Sequence, residues 1–304
     1  MQIDTIDMRL LRVFMAIVEH GGFGGAEIEL GLTASTISIH LANLERRLGV
    51  KLCHRGRGGF RLTDEGRAVH ESAKRLFLAV DDFTAEAAAL RGRLVGGLSI
   101  GLVDNTITDP RSPLRATIAR FTSREGEVHL TVGVDDPDGL TFALVNRRLH
   151  AAIGAFPHQV SGVAYTHLYD ETNLLYCTAG HPLAGLPPKA VTRERVATSA
   201  LVGRGYDLER DLQVTGARGH AATVANMEAQ LLLILSGNYV GFLPDHFVRD
   251  RTERGELVAV RPDRYRQDCG MWLALPESPQ PTLIVSTFVD DLLNVNAELE
   301  KSCL

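Results

Sequence analysis

The sequence predicts a helical N-terminal domain of winged helix-turn-helix form, a long linker helix, and a C-terminal α/β domain of two subdomains. Three observations predict this order. Residues 24–48, GGAEIELGLTASTISIHLANLERRL, hold two short apolar-periodic segments separated by Gly31, the layout of two helices meeting at a tight turn. Residues 69–90 carry apolar side chains spaced alternately by four and three, which marks one seam on a long helix. From Leu98 onward short apolar strands alternate with helices, which calls for a parallel sheet with right-handed crossovers. The changes of pattern divide the chain into residues 1–62, 63–95 and 96–304.

The first helix comes from residues 8–18, where Leu10, Leu11, Phe14, Ile17 and Val18 share one side before Gly21-Gly22. In the next pair Ala26 is small enough for close helix approach, and Gly31 can take the positive φ of the turn. Thr33 stands where an N-cap belongs. Ile37, Leu41, Leu44 and Leu48 then recur at helical spacing, leaving Ser35, Thr36, Ser38, Ile39, His40 and Asn43 on the other faces. A helix with small hydroxyl residues in its first turn can enter a major groove and bring them to base edges and phosphates. Short helix pairs also occur in cores that touch no DNA, so the flanks decide. VKLC and GFRL read as the two strands of a hairpin around His54-Arg55-Gly56-Arg57-Gly58, a basic wing. Between Arg46 and Arg61 the chain carries Arg46, Arg47, Lys51, Arg55, Arg57 and Arg61 without an acidic residue. Net charge over the 304 residues is -5, so any DNA contact must come from such a local surface.

Thr63 caps the linker helix, with Asp64 and Glu65 complementing the positive end of its dipole. The seam Val69, Ala73, Leu76, Val80, Phe83, Ala87 and Leu90 predicts pairing with a second chain, because a helix-turn-helix protein usually reads two half-sites as a dimer. After the glycines of residues 91–97 come strands at 98–103, 128–134 and 149–156, with helices at 112–124 and 138–148 between them. A second set follows, with strands near 164–169, 174–177, 200–203 and 221–224, a helix at 226–236, strands at 239–243 and 269–275, and a closing helix at 281–301. Two α/β halves joined by crossovers leave a cleft suited to a small ligand.

At this point LRVFMAIVEHGGFGGAEIELGLTASTISIHLANLERRLGVKL, followed by RLTDEGRAV, resembles the DNA-binding domain of the LysR-type transcriptional regulators. HPLAG at 181–185 and TVANMEAQLLLILSGNYVGFLP at 223–244 resemble landmarks of that family's second half. The resemblance covers nearly the whole chain. It implies a periplasmic-binding-protein-like effector domain and a homodimer or a homotetramer built as a dimer of dimers. It also implies promoter DNA, the transcription machinery and a small-molecule effector as partners. By the same resemblance the DNA-facing positions are Thr33, Ala34, Ser35, Thr36, Ser38 and Ile39, with Arg55 and Arg57 in the wing. Ala34 and Ile39 depart from the Gln and Arg common in the family, which shifts readout toward Ser35, Thr36, Ser38, His40, Asn43 and thymine methyl contacts.

The resemblance puts the effector site at Asp104, Asn105 and Thr106, facing Gly133 and Asp135, then Arg204 and Tyr206, and Val224 to Asn226. Arg204 between two glycines could clamp a carboxylate bidentately, and a free helix N-terminus at Asn226 would favour an anion. Against an anion stand Asp104, Asp135 and Asp136, and Arg204 could equally be a solvated charge paired with Asp207 or Glu209. His150 replaces an acidic residue frequent in the family at that position.

Cys53, Cys177, Cys269 and Cys303 are scattered without metal spacing, so they read as reduced thiols, and no cofactor is implied. No signal peptide or membrane-length apolar run is present, which predicts a cytoplasmic protein. The competing reading is an α/β enzyme or solute-binding protein with an N-terminal interaction domain. The enzyme version lacks a GxSxG elbow, a Walker loop, HExxH and GxGxxG, and the solute-binding version leaves the wing and heptad helix unexplained.

Overall fold

The computed structural model describes residues 4–54, 60–90, 94–278 and 280–302, and the chain divides into two compact units, Met1–Asp81 and Asp82–Leu304. The first unit begins with α1 (Thr5–Glu19), closed by a reciprocal capping box in which Asp4 accepts from the Ile6 and Asp7 amides while Asp7 accepts from the Asp4 amide. Helix α2 (Phe23–Leu30) stops at Gly31, whose φ of 60° supplies the turn. Helix α3 (Ala34–Leu48) follows with Thr33 as N-cap. Two short antiparallel strands, β1 (Cys53–His54) and β2 (Arg61–Leu62), form the base of the wing, with Cys53 opposite Leu62. Arg55 and Arg57 lie outside the described residues. Helix α4 (Asp64–Ala89) completes the unit, and the division between units falls within it.

The core of this unit follows the predicted apolar stripes. Phe14, Ile17, Ala26, Ile37, Leu41 and Leu44 are fully buried together. Gly66 lets α4 pass the strand leading to the wing, since a Cβ there would meet the Leu52 carbonyl oxygen at 1.9 Å. The predicted seam on α4 is split by its surroundings. Val69, Ala73 and Leu76 pack into this same core, whereas Phe83 and Leu90 are 71% and 90% exposed. The first half of the seam is therefore internal packing, and only its second half remains open to a partner.

The second unit runs β3 (Leu94–Leu102), α5 (Leu114–Thr122), β4 (Gly126–Val134), α6 (Pro137–Val145), β5 (Ala151–Gly154) and β6 (Val163–Thr178). It continues with a 3₁₀ turn (Pro188–Ala190), α7 (Arg193–Ala197), β7 (Ala200–Arg204), α8 (Leu208–Thr215), β8 (Ala222–Val224) and α9 (Met227–Leu235). It ends with β9 (Tyr239–Pro244), α10 (Asp245–Glu253), β10 (Leu257–Ala259), β11 (Arg266–Pro276) and α11 (Leu283–Ser302). The sheet order is β4-β3-β5-β11-β6-β9-β7-β8, with β10 on β6. Strand β3 pairs in parallel with β4 and β5, as the alternation of strands and helices predicts.

The two lobes share antiparallel strands β6 and β11, paired from Arg266 opposite Leu174 to Pro276 opposite Val163, with an irregularity between Met271 and Trp272. The segments 164–169 and 174–177, expected as two strands, are thus one strand running from lobe to lobe. The polar break at Asp170–Asn173 reads like a turn in sequence, but it is the stretch where the strand leaves one core for the other. Helices α7, α8 and α10 fall in segments where no helix is expected from sequence; each is short and offers few apolar residues. The first lobe's core joins β3 and β5 to α5 and α11, where Phe121 and Phe288 meet edge to face at 5.5 Å. His150 receives a structural role: Nδ1 accepts from the Ser99 amide at 2.8 Å and Nε2 lies 3.1 Å from Asp82.

Candidate DNA-binding face and effector cavity

Helix α3 has one buried face and one open face, set by its own sequence. Ile37, Leu41 and Leu44 turn inward, while Thr33, Ala34, Ser35 and Ile39 are exposed and Thr36, Ser38, His40 and Asn43 are half-buried. The hydroxyls of Thr33, Ser35 and Thr36 form a cluster, with Thr33 Oγ1 2.9 Å from each of the other two and accepting from the Thr36 amide at 3.3 Å. The Ala34 amide donates to the Glu27 carboxylate of α2, so the first turn of α3 is already partly satisfied. Ile39 stands 61% exposed, with Ala42 and Arg46 following on the same open face. Arg46 is the basic residue of that face and donates to Asn43 Oδ1 at 2.6 Å. Its i+7 relation to Ile39 is the signal that points to it.

The basic run is smaller in space than in sequence. Arg47 is taken by Asp7 and Asp4 of the α1 cap, and Lys51 pairs with Glu45 at 2.9 Å. Glu45 also accepts from the Leu52 amide at 2.9 Å, tying the wing strand to α3. All four described members of the run are exposed, and Arg46 and Arg61 are the two with no carboxylate within ion-pair distance among the described residues.

In the second unit a cavity of about 120 Å³ opens between the lobes. The first lobe lines it with Val103, Asp104, Pro137, Ala155, Phe156 and Pro157, and the shared strands with Glu171, Cys269, Gly270, Met271 and Trp272. Arg204, Tyr206, Asp207, Arg210, Met227 and Pro244 close the other side. Of the predicted effector residues, Asp104, Arg204 and Tyr206 line this cavity, whereas Asn105, Thr106, Gly133, Asp135, Val224 and Asn226 do not. The aromatic and charged lining from Phe156, Glu171, Arg210 and Trp272 comes from positions with no local motif: Glu171 and Trp272 are brought in by the long strands β6 and β11, Phe156 by the loop after β5, and Arg210 by α8.

Two expectations about anion binding are overturned here. The N-terminus of α9 is not free: Asn226 Oδ1 accepts from the Ala229 amide at 2.9 Å, and Asp104 Oδ2 accepts from the Met227 amide at 2.7 Å. A carboxylate from the other lobe already fills the place proposed for an anion. Arg204 is neither solvated nor open to clamp. It is 3% exposed, donates to Asp211 at 3.0 Å and Gln267 at 3.2 Å, lies 3.8 Å from Asp207, and stacks near Tyr206. Burial opposes its charge, but Asp211 and the other groups around it outweigh burial and hold it more firmly protonated. Gln267 also donates to Asp211 at 3.0 Å, completing a buried triad.

Burial pushes the Asp104 carboxyl up; the Met227 amide opposes the rise and Glu171 adds to it. Glu171 belongs to a second cluster at the lobe boundary. His246 Nε2 is 3.0 Å from Glu171 and 3.4 Å from Asp109, and its Nδ1 is 2.8 Å from Thr108 Oγ1. With two carboxylates before it, Nε2 must carry a proton. These three side chains bring ligand-type atoms within 4.8 Å of one another, which makes them the candidate cation ligands among the described residues. As they stand, Arg111 on Asp109, Asn173 on Glu171 and Thr108 on His246 satisfy them as a latch between β6, α10 and the loop after β3.

A helix-turn-helix with a wing, followed by a two-lobed domain with a polar cavity, defines a ligand-responsive DNA-binding regulator. Comparison with known families agrees. Residues 8–67 match the bacterial regulatory helix-turn-helix protein model of the lysR family, and residues 91–297 match the LysR substrate binding domain. The chain belongs to the LysR family of transcriptional regulators, whose DNA binding is modulated by a small-molecule effector in the C-terminal domain. It is 33% identical to the HTH-type transcriptional activator BauR of Pseudomonas aeruginosa over 290 residues, 95% of each chain. It is 34% identical to a probable hydrogen peroxide-inducible genes activator of Mycobacterium leprae, over 73% of this chain and 71% of that one. Among solved structures, full-length CbnR in complex with its target DNA shares the fold with a TM-score of 0.66 at 20% identity, covering 95% of this chain and 99% of CbnR. A full-length OxyR variant from Pseudomonas aeruginosa does so with a TM-score of 0.59 at 20% identity, covering 97% of this chain and 95% of that one. No described helix is long and apolar enough to cross a membrane.

Proposed function

We propose that α3 reads promoter DNA through Thr33, Ala34, Ser35, Thr36, Ser38, Ile39, His40 and Asn43, with Arg55 and Arg57 of the wing on the backbone or minor groove. The observation that carries this reading is the two-faced α3, apolar side sealed in its own core and hydroxyl side open. Arg46 joins the set as a phosphate contact on the open face. Ile39, apolar and exposed, suits a thymine methyl. The regulator acts as a homodimer or homotetramer on promoter DNA and through the transcription machinery. Exposed Val132 and Val134 on edge strand β4, Phe142 and Val145 on α6, and Phe83 on α4 support self-association. The regions 1–62, 63–95 and 96–304 serve as reader, linker and sensor. The sensor's effector occupies the interlobe cavity, and it must favour one arrangement of the assembly over another to change DNA binding.

The test is a salt titration of the full chain against its own upstream DNA and a scrambled duplex. Preference for the upstream fragment with a footprint of two or more half-sites is expected; equal weak binding to both would overturn the reading.

A further inference from the structure

The charges around the interlobe cavity are not all neutralised by one another. Three carboxylates and two guanidinium groups line it: Asp104, Glu171 and Asp207 against Arg204 and Arg210. Glu171 has His246 at 3.0 Å, and Arg204 has Asp211 at 3.0 Å with Asp207 at 3.8 Å. Arg204 is thus shared by two carboxylates, and Asp207 also feels the charge of Arg210, but neither Asp104 nor Arg210 has an ion pair of its own among the described residues. Asp104 accepts the Met227 amide but has no cation within ion-pair distance among the described residues. Arg210 donates to the Asp268 carbonyl at 2.6 Å and contacts Cys269 Sγ at 3.3 Å, with no carboxylate within ion-pair distance among the described residues. Asp104 stands on the first lobe and Arg210 on the second, with Phe156, Met227, Met271 and Trp272 giving the cavity apolar walls.

We propose that the effector is a small zwitterion, its ammonium on Asp104 and its carboxylate on Arg210, drawing the two lobes toward one another. The inference rests on the reading of this cavity as the effector site. A half-buried charge without a counter-ion is costly, and a ligand carrying both complementary groups relieves both costs at once. A plain carboxylate satisfies Arg210 but meets Asp104 as a like charge, and a plain amine leaves Arg210 unmatched. Desolvation raises the Asp104 carboxyl in the free protein, and an ammonium beside it would oppose that rise. The cavity's small size selects a short molecule.

The full-length protein is titrated with three matched series: α- and ω-amino acids of two to six carbons, monocarboxylates of the same lengths, and alkylamines. Fluorescence of Trp272, the chain's single tryptophan and a cavity wall, reads binding. At least one amino acid should bind about tenfold or more tighter than both its carboxylate and its amine counterparts. Asp104→Asn keeps an acceptor for the Met227 amide and should erase the advantage over the carboxylate; Arg210→Gln should erase the advantage over the amine. A carboxylate binding as well as its amino acid, or variants that leave both preferences intact, overturns the inference and spares the effector reading. Silence across all three series overturns the zwitterion, and a small-molecule cell extract that also fails to change promoter binding overturns the effector reading itself.

Discussion

Arg47 in the first unit and Arg204 in the second each hold an aspartate whose side chain has no exposed surface, Asp7 and Asp211 respectively. Their surroundings differ. Arg47 keeps 34% of its side chain in solvent, whereas Arg204 keeps 3%. Arg47 fastens the end of α3 to the cap of α1, a joint at the surface. Arg204 fastens β7 to α8 and, through Gln267, to β11, a joint inside the sensor. The same pair of residue types is thus a surface clasp in the reader and a buried strut in the sensor. An arginine beside a cavity is not by that fact a ligand contact.

The contrast is tested most severely by Arg204→Ala. It leaves Asp211 buried without its cation, and the second unit should lose about 3–5 kcal/mol, read by urea unfolding through Trp272. A loss near zero would mean that Arg204 is not a strut. Replacing both ends, Arg204→Met with Asp211→Leu, should recover most of the loss, because an apolar pair of similar size carries no desolvation cost. A loss of effector response in Arg204→Ala alone would then report instability of the domain.

Next in size is readout at the open face of α3. Ser38→Ala should relax discrimination at one operator position by about 1–3 kcal/mol, whereas Arg46→Ala should weaken binding to all sequences and reduce the salt slope by about 1. Competition binding on single-position operator variants separates the two. Uniform loss on specific and scrambled DNA for Ser38→Ala would remove it from base readout.

The surface clasp should show itself in pH dependence. Hydrogen bonding from Arg47 holds the Asp7 carboxyl below its ordinary value of 3.8. A carboxyl depressed in the folded state contributes stability above its unfolded value, and that contribution is lost as pH falls through the folded value. Arg47→Ala should therefore destabilise the first unit at pH 7, with a gap to wild type that closes as pH drops below 3.8. Hydrogen exchange along α1 measures it; a gap constant with pH would exclude the ion pair as its source.

Least should change when the thiols are challenged. Burial pushes the Cys177 thiol up to about 11 and raises Cys269 as well, while Cys53, Cys177 and Cys269 are all free and buried. Mild peroxide should leave operator affinity unchanged and link none of these three in mass spectra. A disulfide among them would overturn the reading of these cysteines as inert buried thiols.

The reader's fold was legible in the sequence because its determinants are local. Thr33 caps the helix three residues from the amide it accepts, Gly31 makes its own turn, and the stripe Ile37, Leu41, Leu44 needs only helical periodicity. The alternation of strands and helices from Leu98 likewise determined a parallel first lobe. The partners of charged groups are not local. Asp7 reaches Arg47 across 40 positions, Asp104 reaches the Met227 amide across 123, and Gln267 reaches Arg204 across 63. Periodicity and capping fix which face a residue shows, because backbone geometry repeats every few residues. Which charge meets which is settled in three dimensions, because it depends on the register of long strands such as β6 and β11 and on how two lobes close around them.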